Sequence, residues 1–261
     1  MKIIFAVLSA LASSLSSWGA NPSGLIEYTL HSRDFDRVYV SGRVGVDLCV
    51  KPDSAGYIVV QSTSAAYEAL NSRHSDGTLY LSVDDRVPAD LSAKIKLVRV
   101  YVDSDLSAVS ATGLSKVSVD GAIVNDNPVT LMVNGQAVVS ASAIQSDAVS
   151  LSVTGAGRVD VTGPVKADNV NCSTTGSGHI SVSDIDSETI SATLRGSGSV
   201  TVAGRVRDNA AVVVKGSGTI DTGNLAAPLV KASVFGTGDI IYNDKSTLRA
   251  SGKINQIKKS R

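Results

Sequence analysis

The tripeptide Gly-x-Gly recurs at a near-constant interval in the C-terminal half of the chain, and that interval restricts the fold more than any other feature. The copies are Gly155-Ala156-Gly157, Gly176-Ser177-Gly178, Gly196-Ser197-Gly198, Gly216-Ser217-Gly218 and Gly236-Thr237-Gly238, at spacings of 21, 20, 20 and 20 residues. A degenerate copy lies at Gly135-Gln136-Ala137, a looser one at Ala111-Thr112-Gly113, and an early last one at Ser251-Gly252. Apolar residues keep phase with the glycines. An alternating triplet precedes each copy, as in Val149, Leu151, Val153 or Ile190, Ala192, Leu194. An alternating pair follows, as in Val159, Val161 or Val200, Val202. Period-two alternation marks strands with one buried face. The same alternation returning every 20 residues marks strands stacked coil upon coil, because one coil cannot close a core alone. The fold class expected is all-β, a parallel β-helix or β-solenoid with coils of about 20 residues.

Gly-x-Gly then has a mechanical role. Glycine accepts positive φ and close backbone approach, so Gly155, Gly157, Gly176, Gly178, Gly196, Gly198, Gly216, Gly218, Gly236 and Gly238 read as structural turn glycines. The small middle residue avoids the corner above. Composition agrees: hydrophobic residues make up 43% but aromatics only 4%, so Val, Ile, Leu and Ala must fill a thin, layered interior. About six regular coils are expected within 106–257. Residues 26–105 alternate without the strict period and read either as irregular first coils, the preferred reading, or as a separate β cap, with a short helix over 64–71 and a turn at Asp76-Gly77. The whole of 26–257 reads as one domain, and 258–261 as a solvated basic tail. Cys172 falls in an interior column and reads as a buried free thiol, far in sequence from Cys49.

Lys2, followed by the apolar stretch Ile3 to Leu15 and small residues at Ser17 and Gly19, reads as a signal peptide over 1–19. No second apolar run reaches membrane length, so no transmembrane segment is expected in the mature chain. The expectation is an exported protein, periplasmic or associated with the outer membrane or cell surface. Basic and acidic residues balance at 24 each. A nucleic-acid partner is therefore not expected, since phosphate contacts need a cationic excess.

The run Asp34-Phe35-Asp36-Arg37-Val38-Tyr39-Val40-Ser41-Gly42, the strands Asp76-Gly77-Thr78-Leu79-Tyr80-Leu81 and Val98-Arg99-Val100-Tyr101-Val102, and the serial Ser/Thr-Gly-x-Gly units together resemble the auto-transporter adhesin head GIN domain family. The resemblance covers about residues 30–257. It implies a β-helical module, secreted or associated with the envelope, and brings no catalytic residues. The family's units most often read Ser-Gly-Ala-Gly-Asp. Here the last position is Arg158, His179, Ser199, Thr219 and Asp239, so no acidic ladder is implied.

Chemistry is sparse. Strands, not helices, follow each Gly-x-Gly, which argues against phosphate cradles. Asp160 and Asp221 share a column but are separated by Ser181 and Thr201, and no zinc-type spacing occurs among His31, His74 and His179. The expectation is therefore no catalytic residues, no metal and no cofactor. The candidate ligand face is Arg158, Arg195, Lys215 and Phe235, a basic and aromatic strip suited to a glycan or an envelope component. The reading is a non-enzymatic, adhesin-like surface-interaction or structural module. The alternative is a polysaccharide-binding or polysaccharide-degrading, lyase-like β-helix. An exposed strip at Ala211 and Val213 leaves a homo-oligomer open.

Overall fold

The computed structural model describes residues 24–32 and 34–260. The signal peptide expected over 1–19 lies outside the described residues. Two long parallel ladders form the body, joined at the glycine corner, with a shorter third segment closing each coil. The first ladder runs through Thr78–Val83, Arg37–Gly42, Ala108–Gly113, Val129–Gly135 and Ala148–Gly155. It continues through the C-terminal parts of Arg158–Gly176, His179–Gly196 and Ser199–Gly216, then Leu229–Gly236 and Thr247–Gly252. The second ladder runs from Ile95–Val102 through Gly45–Val50, Lys116–Asn125 and Val138–Ser146 to Asp239–Tyr242 and Ile257–Lys259. From Ala108 onward this makes about eight turns of a β-solenoid. The two beyond the six expected are the coils whose glycine signal is degraded, at Gly113 and Gly252.

The register reproduces the sequence columns. Leu131, Leu151, Cys172, Ala192, Val212 and Ala232 stand in line in the first ladder. Val139, Val159, Ile180, Val200, Ile220 and Ile240 do so in the second. All are buried and belong to one continuous core. In the third segment Val206 stands opposite Ser187, while Gly204 faces Ile185. Gly204 has φ of 121°, which lets the backbone slip by that residue.

Residues 51–107 are an insertion between two stacked coils. Arg37–Gly42 lies on Ala108–Gly113, although more than sixty residues of chain separate them. The insertion leaves the stack, returns, and lays Thr78–Val83 and Ile95–Val102 on the open side of that first coil. Antiparallel pairs then close the end: Leu70–Ser75 on Thr78–Val83, Tyr57–Ser62 on Ile95–Val102, and Ile26–His31 on Tyr57–Ser62. The helix Ser64–Glu68 touches both outer sides of this closure and the short helix Ala89–Ser92. A closed end matters because a bare strand edge templates association. The turn at Asp76 and Gly77, both with positive φ, is the two-residue hairpin expected. At the other end, the basic tail expected over 258–261 begins within a strand, Ile257–Lys259, whose lysine side chains are exposed. The strand pairs with Ile240–Tyr242, and Lys258 meets Asp239 at 2.9 Å. No described helix is long and apolar enough to cross a membrane.

Candidate functional site: the corners and the flat outer face

The corner where the two ladders meet sets how tightly coils approach. Gly176 O accepts hydrogen bonds from Ser197 N at 2.9 Å and Gly198 N at 3.1 Å; Gly196 O accepts from Ser217 N and Gly218 N, both at 3.0 Å. The φ of the first glycine rises along the stack, from 80° at Gly113 and 82° at Gly135 to 129° at Gly196 and 151° at Gly236. A Cβ on Gly113 or Gly135 would find its nearest neighbour at 3.4 or 3.3 Å, but on Gly155 and Gly176 at 2.6 and 2.5 Å, against the carbonyl beneath. The second corner position changes in step from Gly113 to Gly236: it reads Ser115 and Ala137 in the two open corners and glycine from Gly157 to Gly238.

Beyond the corner, the outward residues of the first ladder form a flat face, three columns wide in the early coils and four from Ala148 onward. The second column from the corner runs Tyr39, Ser110, Met132, Ser152, Ser173, Thr193, Val213, Ser233 and Ser251. Arg195, Lys215 and Phe235 are stacked on consecutive coils in the column nearest the corner. Lys215 Nζ lies 5.8 Å from the Phe235 ring centroid, and the ring is 57% exposed. Arg158 does not join them. It stands across the corner in the column with Val138 and His179, with Asp160 at 3.8 Å. His179 Nδ1 lies 2.8 Å from Ser199 Oγ in that same column.

Two further cations belong to the face. Lys231 stands opposite Ala211, and Arg249 opposite Lys231, in the third outward column from the corner, with Leu229 and Thr247 beyond it. Lys231 is legible in sequence as an outward residue, but its column differs from that of Arg195 and Lys215. Arg249 is hidden by the last glycine: aligning Gly252 with Gly236 misplaces it, because Gly252 pairs with Val234, two residues earlier. Ala211 and Val213 are half-buried within the face.

Asp147, Asp168, Glu188 and Asp208 occupy successive exposed corners just before the first ladder. No group of three or more metal-capable side chains converges among the described residues. Beside this acidic edge is an open depression of about 350 Å³, crossed by the Arg207–Asp186 pair at 2.7 Å. A second, of about 380 Å³, lies near the closed end, lined by Asp34, Asp36, Asp103 and Asp105. Burial and the neighbouring Tyr28 push the Tyr67 phenol up, while burial alone pushes the Cys172 thiol up to about 12. Both cysteines are free.

This architecture and these repeats define a parallel β-solenoid. Residues 34–254 match the family described as "Putative auto-transporter adhesin, head GIN domain", and the chain belongs to that family. Membership supports an adhesin-like role. Among solved structures, one described as a putative adhesin from Parabacteroides distasonis superposes with a TM-score of 0.74 at 17% identity, covering 90% of this chain and 97% of that one. A putative adhesin from Parabacteroides merdae gives 0.69 at 17%, covering 92% and 98%. A protein described as a putative lipid binding protein, also from P. distasonis, gives 0.70 at 18%, covering 92% and 98%. At these identities the likeness is one of fold. None of the curated proteins matches the sequence.

Proposed function

We propose that the protein is an exported, non-catalytic binding module of the bacterial cell envelope, and that it binds through the flat outer face of the first ladder. The observation that carries this reading is the face itself: in-register columns of mostly short polar side chains, held rigid by a continuous core. Such a surface offers repeated hydrogen-bonding groups to an extended ligand. The two depressions are open to solvent, and although aspartates line both, no group of three or more metal-capable side chains converges among the described residues. Fold alone does not decide function, so the reading rests on this surface and on family membership. Export is supported by the signal-like residues 1–19 and by the family's surface-adhesin character.

The test is binding of the purified mature chain to a glycan array with Ca²⁺ and with chelator, followed by a product assay on each hit. Binding without turnover is expected, and turnover of any bound polysaccharide would overturn the non-catalytic reading. Export is tested by cell fractionation and N-terminal sequencing. The mature chain is expected to start at Ala20, and recovery of the uncleaved chain in the cytoplasm would refute export.

A further inference from the structure

Resting on that reading, we propose that the C-terminal third of the flat face is a binding site for an acidic polysaccharide whose carboxylates are held by Arg195, Lys215, Lys231 and Arg249. The outward columns of the first ladder from Arg37 to Ser251 contain five cations and no carboxylate: Arg37, Arg195, Lys215, Lys231 and Arg249. Arg37 is engaged by Asp36 at 3.4 Å. The other four occupy the last four coils. All are exposed, and none has an ion pair among the described residues. Sheet geometry fixes their layout. Rungs lie about 4.8 Å apart, and the two flanking columns, four residues apart along the strand, about 13 Å apart. The cations therefore form two pairs offset by two coils, Arg195 and Lys215 on one side and Lys231 and Arg249 on the other, across a floor of Thr193, Val213, Ser233 and Ser251.

The surroundings sharpen the charge. The acidic corner series ends at Asp208, and its place in the next two coils is taken by Pro228 and Ser246. Lys231 and Arg249 thus stand on the coils where the corner carboxylates have stopped, while Arg195 and Lys215 lie at the opposite end of their strands from Glu188 and Asp208. Phe235 is the second mark. An exposed ring beside a lysine offers a platform for the apolar face of a sugar, and the hydroxyls of the floor suit its hydroxyl groups. A flat site with no pocket suits a chain of sugars better than a single one. The four guanidinium and ammonium groups suit repeated carboxylates, and their attraction is screened by salt.

Affinity electrophoresis of the full mature chain through gels holding polygalacturonate tests this, with fully methyl-esterified polygalacturonate as the neutral control. Retardation by the acid form, at least tenfold weaker with the ester and weakened by 0.5 M salt, is expected. R195Q/K215Q and K231Q/R249Q should each weaken it severalfold and the quadruple variant abolish it. K166Q/R205Q, which removes two cations from the third segment, should leave it unchanged. Equal loss in K166Q/R205Q would overturn the assignment to this face. So would equal retention on duplex DNA, abolished by the same quadruple variant, because the site would then read charge alone. Binding to neutral glycans untouched by the quadruple variant would sink this site and leave the binding-module reading standing. No binding to any glycan would remove both.

Discussion

The closed N-terminal end and the regular stack bury their residues in different ways. From residue 108 onward the described chain has only two aromatic side chains, Phe235 and Tyr242, and its core is built of Val, Ile, Leu and Ala in straight columns. Residues 24–102 hold seven, and four of them make two tyrosine pairs: Tyr28 lies face to face on Tyr67 at 3.7 Å, and Tyr39 meets Tyr80 at 5.6 Å. A coil that meets an identical coil fills space by repetition, so medium aliphatic side chains suffice. An end that meets nothing closes on itself with antiparallel strands and a helix, here over an aliphatic core like that of the stack. The aromatics pack around it: Tyr28, Phe35 and Tyr67 lie partly buried against the core, while Tyr39 and Tyr80 meet on the outward side.

The corners sharpen this contrast and predict the largest effect. In Gly198→Val the new side chain starts inside contact distance of the Gly178 carbonyl, which is backbone and cannot swing aside. More than about 4 kcal/mol of destabilisation is expected, seen as insoluble protein or loss of the cooperative melt. Gly157→Ala should be milder but clearly destabilising, since its Cβ would meet Ala137 O and Val133 Cγ1. Gly45, in the first coil, has no positive φ, and a methyl group added there would meet nothing within 4 Å. Gly45→Ala is expected to be neutral or to stabilise by about 0.5 kcal/mol. Equal melting temperatures for all three variants would refute the tight-corner account.

Removing a large filler at the closed end should act locally. Tyr67→Ala deletes a half-buried ring and its stack on Tyr28, at a cost of about 2 kcal/mol. Because coils couple mainly to their neighbours, amide exchange should quicken over 57–83 and hold over 149–216. Uniform quickening would show the molecule to be one cooperative unit instead. Thr174→Val should have a smaller effect of opposite sign. Thr174 lies in the column between Val153 and Leu194, fully buried, with an Oγ1 that has no partner among the described residues. An unpartnered buried hydroxyl costs about 1–3 kcal/mol, so valine should stabilise by about 1 kcal/mol, visible as a rise in Tm. A fall would show that the hydroxyl is satisfied.

The coil interval, the columns and the turn glycines were legible because stacking forces each coil to repeat the same demands. The closed end was legible as strands, a short helix and the Asp76-Gly77 turn, but not as a topology. Its topology depends on Arg37–Gly42 pairing with a segment beyond residue 107, and no local pattern carries that distance. Within the candidate face, Arg195, Lys215 and Phe235 could be aligned because their coils keep a 20-residue interval. Arg158 was a false neighbour, as the corner turns it onto the other ladder. Arg249 was missed because the last coil is two residues short before its glycine. Errors of this kind follow from using the glycine as the ruler where the chain no longer needs it.

Cys172 and Cys49 offer the finest comparison between the two regions. Cys172 fills the stack's column between Leu151 and Ala192 with no exposure, and burial lifts its thiol to about 12. Cys49 lies in the second ladder of the first coil, half-buried on the outward side opposite Tyr101. A thiol-specific reagent at pH 8 should label Cys49 in the native protein and reach Cys172 only on unfolding. The pH dependence follows from the same burial. The unfolded thiol ionises near pH 8.5–9, while the folded thiol holds its proton to about 12. The unfolded state therefore releases a proton first, and the stability present below pH 8.5 is lost as pH rises towards 12. Tyrosines and lysines titrate in that range too, so the measurement is a difference: urea midpoints of the parent and of Cys172→Ala at pH 7.5 and pH 10. Cys172→Ala leaves a small gap and should be less stable at pH 7.5 by about 1 kcal/mol, and the deficit should shrink at pH 10. A deficit unchanged by pH would mean that water reaches this column and that the stack is looser there than its packing implies.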